Sequence, residues 1–410
     1  MKATIEVISK DNRADTPFNI IVSHLEKDTL YTIEMELHHF YCINAPMTLS
    51  TSMPWCSSGE FISDSTGKID LTKTKSKWNT SEGGAAMGLF FNARPKFTKR
   101  MKLKDSLADI PEHRCYQVVI RCLKDSKIVV RTHFTRYYLD LGLSSRNIIE
   151  RDFQGRLFYD SKSSYSKPAI IVVSGSDGRI EKAQNIAQLL ANRGYVTLAV
   201  AYFGLNGLPR DLNKIPLESI ISAKHYLLDL PFVDKNNIGL YGRSKGAELV
   251  LTAESKQNTV KAIALNSPTH VNFEGIKGKM NSKSSSWTYQ GAELLYHKFS
   301  YREFLSKVIF KRKLKINSCE KIDISKIKSS LFILASKNDE IWDAYESAIE
   351  ISSRYVGQKL DIKYYNNTGH MLTVAYQPNS RYSNNWENIL GVSIDSWEET
   401  ITFFDRELKN

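Results

Sequence analysis

The stretch Asn237-Ile-Gly-Leu-Tyr-Gly-Arg-Ser-Lys-Gly-Ala-Glu-Leu-Val-Leu251 reads as a short buried strand, a sharp turn and a helix, with Ser244 at the apex. Its centre, Gly242-Arg-Ser-Lys-Gly246, has the G-x-S-x-G form of a nucleophile elbow, a strained turn that needs glycine two residues to either side of the serine. A side chain at either glycine would collide with the neighbouring strand or helix. The turn pushes Ser244 Oγ away from the backbone. It also leaves the N–H of Lys245, at the mouth of the helix, facing any oxyanion formed beside the serine.

Outward from the elbow the chain keeps one rhythm. Ala169-Ile-Ile-Val-Val is a continuous apolar run followed by Ser174-Gly-Ser-Asp-Gly178, then a helix from Ile180 to Arg193 closed by Gly194. Tyr195-Val-Thr-Leu-Ala-Val-Ala is the next buried strand, Leu217 to Leu230 the next helix, and Ile238 to Tyr241 the elbow strand. Two further apolar strands, Val260-Lys-Ala-Ile-Ala-Leu and Ser330-Leu-Phe-Ile-Leu-Ala, precede an alternating one, Lys359-Leu-Asp-Ile-Lys-Tyr-Tyr, and a C-terminal helix, Trp386 to Leu408, packs on one face. Strands alternating with helices predict an α/β domain with a mainly parallel sheet. The polar interval from about 270 to 328, with Lys277, Lys279, Lys283, Lys298 and the run Lys311-Arg-Lys-Leu-Lys, interrupts the rhythm and predicts a lid-like insertion over the carboxyl ends of the strands.

A serine hydroxyl is a poor nucleophile near neutral pH, so it needs a base within hydrogen-bond reach and a carboxylate to orient that base. In such sheets both lie on later loops, in the order Ser, acid, His. Asp339 leaves the strand Leu331-Phe-Ile-Leu-Ala within Ser336-Lys-Asn-Asp-Glu-Ile-Trp342, with Glu340 and Asp343 as neighbouring competitors for the acid. His370 follows the last strand in Tyr364-Tyr-Asn-Asn-Thr-Gly-His, while His270 and His297 fall in the insertion. The second oxyanion donor is expected on the loop after the first long buried strand, at the N–H of Ser176 or Asp177. Ser176 is preferred because it follows Gly175, which lets a carbonyl approach.

Residues 1 to about 140 differ in kind. Thr4-Ile-Glu-Val-Ile, Phe18-Asn-Ile-Ile-Val, Tyr31-Thr-Ile-Glu-Met-Glu-Leu, Tyr116-Gln-Val-Val-Ile and Ile128-Val-Val-Arg-Thr-His-Phe alternate as half-buried strands, predicting an antiparallel, immunoglobulin-like sandwich. Gly59–Leu71 and Trp78–Phe91 read as loops and edge strands, with Trp55, Trp78, Phe90 and Phe91 as core plugs; Arg146 to about Tyr159 reads as the seam. Two domains suit a chain of 410 residues. No apolar run approaches the roughly 18 residues of a membrane span, and no signal or retention address is visible, so a cytoplasmic protein is expected. Five cysteines without C-x-x-C spacing give neither a disulfide framework nor a zinc site. The formal charge of +12 is spread along the chain without a nucleic-acid motif, and it suits a polyanionic small ligand.

Taken together, Gly242-Arg-Ser-Lys-Gly-Ala, Asn338-Asp-Glu-Ile-Trp342, Thr368-Gly-His370, Ala199-Val-Ala-Tyr-Phe-Gly, Leu208-Pro-Arg-Asp-Leu, Gly67-Lys-Ile-Asp-Leu and Met87-Gly-Leu-Phe-Phe-Asn-Ala-Arg-Pro make the chain resemble the acyl-CoA thioesterase and bile acid-CoA:amino acid N-acyltransferase family. The resemblance covers nearly the whole chain. It implies an immunoglobulin-like domain at 1–142 and an α/β-hydrolase domain at 143–410, with Ser244, Asp339 and His370 as triad. It further implies a fatty or sterol acyl-CoA substrate and no cofactor beyond the CoA carried by that substrate. Acyltransferase members resemble this chain but carry cysteine at the nucleophile, so Ser244 favours hydrolysis; the loop Ser174-Gly-Ser-Asp-Gly departs from the glycine-rich form of the thioesterases.

Overall fold

The computed structural model describes residues 1–73, 85–298, 316–366, 368–370, 372, 374–378 and 386–410. The chain divides into two compact units, one of residues 1–103, 112–141 and 373–398, the other of residues 104–111, 142–372 and 399–410.

The first unit holds two antiparallel sheets. One comprises Thr4–Ser9, Phe18–Ser23 and Ile69–Asp70; the other runs, in spatial order, Arg94–Pro95, Trp55–Ile62, Leu30–His38, Cys115–Lys124 and Lys127–Tyr137. Period-two alternation puts Phe18, Ile20 and Val22 inside from the first sheet and Tyr31, Ile33, Met35 and Leu37 inside from the second. The Phe18 ring meets Phe90 and Phe134 edge-on, joining the two layers. Trp55, Phe90 and Phe91 are buried plugs, whereas Trp78 lies outside the described residues. Part of the stretch read as loop and edge strand is instead a short helix, Ala85–Phe91. Its Ala, Met and Leu residues form helix readily, and burial of Met87, Leu89, Phe90 and Phe91 fixes it.

The second unit is built on an eight-stranded sheet. In chain order its elements are β1 (Ser144–Ile149), β2 (Gln154–Tyr159), β3 (Lys167–Val173), α1 (Ile180–Ala191), β4 (Val196–Ala201), α2 (Glu218–Leu228), β5 (Val233–Arg243), α3 (Lys245–Gln257), β6 (Ala262–Asn266), β7 (Ser330–Ser336), α4 (Ala344–Arg354) and β8 (Leu360–Tyr365); the long helix α5 (Trp386–Leu408) ends the chain. The spatial order is β1-β2-β4-β3-β5-β6-β7-β8. β2 runs antiparallel to β1 and β4, and every other pairing is parallel. This is the α/β-hydrolase fold. β4 and β6 are buried at every residue, which is why they read as unbroken apolar runs. Phe403, Phe404 and Leu408 of α5 are buried, and the bare Cα of Gly239 admits Phe404 and Leu408 against β5. No helix of the described residues is long and apolar enough to cross a membrane.

Two features depart from the sequence reading. The supposed seam is the β1–β2 hairpin, paired onto the sheet through β4. Its charges hid it, because Arg156 is buried yet satisfied by Asn147 (2.7 Å), Gln184 (2.6 Å) and the carbonyls of Leu107 and Ile110. The inserted segment, for its part, is not a detached polar flap. Trp287, Ile322, Ile324 and Ile327 belong to the main hydrophobic core, while Lys277, Lys279, Lys283 and Lys298 are exposed; the run Lys311–Lys315 lies outside the described residues.

Because β3, β5, β7 and β8 run parallel, the loops that leave them share one rim of the sheet. That rim depends on a close approach. A Cβ on Gly246 would lie 2.1 Å from the Ser174 carbonyl oxygen and 2.8 Å from that of Val173, and one on Gly242 would lie 2.6 Å from the Gly246 carbonyl oxygen. Gly246→Ala is therefore expected to lower the unfolding free energy by about 3 kcal/mol in a denaturant titration. An unchanged midpoint would contradict this account of the turn.

Candidate active site

β5 ends at Arg243 and α3 begins at Lys245, so the whole reversal falls on Ser244, whose backbone sits at φ 56° and ψ −122°. Such a conformation costs on the order of 1–3 kcal/mol and persists only where the surroundings impose it. Here the strand on one side and the helix on the other do so. Ser244 N–H donates to the Asn266 carbonyl of β6 (2.8 Å), and its carbonyl starts α3 by accepting from Ala247 and Glu248.

His370 lies on the loop after β8, next to Gly369, which takes φ +66°. Its Nε2 is 2.8 Å from Ser244 Oγ, and its Nδ1 is 2.8 Å from Asp339 Oδ2. A carboxylate can only accept, so Nδ1 carries the ring proton and Nε2 presents its lone pair to the serine hydroxyl. Asp339 and His370 are both buried. The carboxylate is fixed from its other oxygen, which accepts the N–H groups of Ile341 (2.9 Å) and Trp342 (3.1 Å). Asp339 thus closes the turn that leads to Trp342, a physical reason for the D-x-x-W spacing. Of the rival acids, Glu340 accepts the backbone N–H of His370 (2.8 Å), and Asp343 precedes α4.

Several residues that sequence reasoning left without a role hold the histidine. Ser267 Oγ donates to the His370 carbonyl (2.9 Å), and Asn266 Nδ2 donates to the Leu372 carbonyl (2.8 Å). The Trp342 ring packs edge-on to the imidazole at 5.2 Å, lies flat on Phe273 at 5.7 Å, and donates its indole N–H to the Ser267 carbonyl (3.0 Å). His270 and His297 are elsewhere, against Ser347 (3.0 Å) and Glu320 (2.8 Å). Burial pushes the His270 imidazole down to about 4, so it stays neutral beside Ser347.

The loop expected to supply the second oxyanion donor lies against the serine. A Cβ on Gly175 would be 3.2 Å from Ser244 Cβ and 3.5 Å from its Oγ. Ser176 follows as an exposed residue, and among the described residues its N–H has no hydrogen-bond partner. The Lys245 N–H is the first of α3, at the open end of the helix.

The Lys245 side chain turns the other way. Its ammonium is buried on both Glu248 oxygens (2.6 and 2.7 Å), beside the rings of Phe273 and Trp287. Glu248 also accepts from the Trp287 indole (2.7 Å) and the Phe273 amide (2.9 Å). Burial pushes the Lys245 ammonium down and the Glu248 carboxyl up, each opposed by the other's charge. The i,i+3 spacing was the only sequence signal for this pair. The pair ties the elbow helix to the inserted segment, and through Phe273 and Trp342 to His370.

Comparison with known proteins gives the family of the chain. The model "BAAT / Acyl-CoA thioester hydrolase C terminal" matches residues 215–410, and "Acyl-CoA thioester hydrolase/BAAT N-terminal region" matches residues 15–150. The chain belongs to this acyl-CoA thioester hydrolase and bile acid-CoA:amino acid N-acyltransferase family. Among its relatives, mouse acyl-coenzyme A amino acid N-acyltransferase 2 is 23% identical over 86% of this chain and 87% of its own. Human mitochondrial acyl-coenzyme A thioesterase 2 is 23% identical over 88% of this chain and 79% of its own. Mouse peroxisomal succinyl-coenzyme A thioesterase is 25% identical over 85% of each. The family's two parts span both compact units.

Removing one partner of a buried ion pair strands the other's charge, at about 3–5 kcal/mol. Glu248→Ala is expected to destabilise by that amount in chemical denaturation, and the double variant Lys245→Leu/Glu248→Leu by much less. Equal losses in the two would show that the pair matters only as packing.

Proposed function

We propose that this chain is a serine-dependent acyl-CoA thioesterase, hydrolysing acyl-CoA to free acid and CoA through an acyl-serine intermediate. The observation that carries the reading is the continuous chain Ser244 Oγ, His370 Nε2, His370 Nδ1, Asp339 Oδ2, with 2.8 Å at each hydrogen bond. His370 takes the hydroxyl proton as Oγ attacks the thioester carbonyl, and Asp339 stabilises the imidazolium that forms. The amides of Lys245 and Ser176 hold the tetrahedral oxyanion, a contribution of about 3 kcal/mol per donor in serine hydrolases. Collapse expels the CoA thiolate, which takes up the proton from His370. Water then adds to the acyl-serine with the same histidine as base, and the acid leaves as Ser244 recovers its proton. These steps use side chains and backbone amides alone, with no cofactor. The exposed Lys277, Lys279, Lys283 and Lys298 suit the phosphates of CoA, and a fatty or sterol acyl group places the reaction in lipid metabolism.

Transfer to an amine is the second reading. It is favoured by relatives named as N-acyltransferases that match as well as those named as thioesterases. The same acyl-serine would then be attacked by an amino acid instead of water.

A panel of acyl-CoA thioesters assayed for free CoA, free acid and amide, with and without glycine or taurine, separates the two. Hydrolysis predicts acid and CoA in equal amounts whether or not the amine is present, and a fall in turnover of at least about a thousandfold in Ser244→Ala. Amide replacing acid would establish transfer. Full turnover in Ser244→Ala would end both readings.

A further inference from the structure

β4 runs directly into Tyr202, a fully buried residue whose hydroxyl hydrogen-bonds to the Gly175 carbonyl at 2.6 Å. That carbonyl belongs to the same peptide unit as the Ser176 N–H. The unit is trans, so its C=O and N–H point in opposite directions, and anchoring one aims the other. With the oxygen drawn into the core by Tyr202, the Ser176 N–H projects from the opposite edge of the peptide, away from the buried ring. The same carbonyl accepts from Gly178 N–H at 3.0 Å, so both its acceptor directions are used.

The rest of the loop is clamped in register with that contact. Gly178 presents its own carbonyl to Tyr202 N–H (2.9 Å), and its φ of +60° and contact with Phe203 exclude a side chain. Ser174 Oγ donates to Asp177 Oδ2 (2.9 Å), and the buried Arg179 spans the Gly204 carbonyl (2.6 Å) and Glu181 (2.9 Å). Tyr202 itself packs against Phe203 at 5.2 Å and Trp287 at 6.0 Å, which holds the phenol against the loop. Burial pushes the Tyr202 hydroxyl well above its ordinary range, so it remains a neutral donor wherever the enzyme works.

We propose that Tyr202 is a positioning residue for the oxyanion hole, orienting and polarising the Gly175–Ser176 peptide so that the Ser176 N–H is presented to the developing negative charge. An O–H donor on a peptide oxygen draws electron density along the unit and makes its N–H a stronger donor. The effect is thus greatest in the transition state, where charge sits on the oxyanion, and small for the ground-state thioester. This inference rests on the acyl-serine reading above.

The test is Tyr202→Phe, which keeps the ring and removes one oxygen. Turnover number is expected to fall about tenfold, the worth of one hydrogen bond of ordinary strength, with KM within about twofold of wild type. Binding of an acyl-CoA analogue whose thioester is replaced by a trifluoromethyl ketone, which mimics the tetrahedral adduct, should weaken by the same factor. A thioether analogue without a carbonyl should bind unchanged, a split that a purely structural loss would not produce. Replacing Tyr202 with 3-fluorotyrosine keeps the donor and is expected to restore wild-type turnover if Tyr202→Phe proves unstable. Ser244→Ala separates the two levels of the argument. If that variant is inactive while Tyr202→Phe has wild-type kcat, or while both analogues weaken equally, the role of Tyr202 is overturned and the triad stands. If Ser244→Ala is fully active, the reading beneath the inference falls as well.

Discussion

The site depends on two missing side chains. Without a Cβ at Gly246 the first turn of α3 meets the carbonyls of Val173 and Ser174, and without one at Gly175 the next loop meets Ser244 itself. These two approaches bring the end of β3 and the end of β5 into direct contact, although 68 residues of chain intervene between Gly175 and Ser244. Everything else at the rim follows from that contact. The nucleophile can stand on a strained backbone because α3 and β6 hold it there, and the Gly175 loop lies against it from the other element.

Around this contact the protein places polar groups that would be costly if left unpaired, and it pairs them. Lys245 and Glu248 lie buried next to the nucleophile, yet three kinds of donor converge on the Glu248 carboxylate. Such pairs contribute little net stability compared with an apolar replacement, but they are directional, and here the direction joins the elbow helix to the segment carrying Phe273 and Trp287. The stack of Phe273 on Trp342, and of Trp342 edge-on to His370, carries the same ordering to the base. A histidine on a loop is thereby held from five sides: Asp339, Glu340, Ser267, Trp342 and Ser244.

The parts legible in the sequence are those whose physics is local. β3, β4, β6 and β7 are buried on both faces, so each stands out as an apolar run. Ser244, Asp339 and His370 could be picked out because a parallel sheet sends its strand ends to one rim in a fixed order. The β1–β2 hairpin was read as a seam because an edge hairpin carries charge, and because the buried residues Phe153, Leu157 and Phe158 are interrupted by an equally buried arginine, Arg156. The core residues of the inserted segment are scattered among exposed lysines, and no period betrays them. Glu248 and Tyr202 were invisible for a different reason: their partners, Trp287 and Phe273 for one and the Gly175 carbonyl for the other, are neighbours only in three dimensions.

A serine made nucleophilic by a neighbouring histidine reacts with fluorophosphonates far faster than an ordinary hydroxyl, and the bond formed can be mapped to its residue by mass spectrometry. The account predicts that a fluorophosphonate probe modifies the wild-type protein at Ser244, and that His370→Gln slows the modification at least about a hundredfold while the protein remains folded. Modification confined to another residue, or a rate at Ser244 unaffected by the loss of His370, would contradict it.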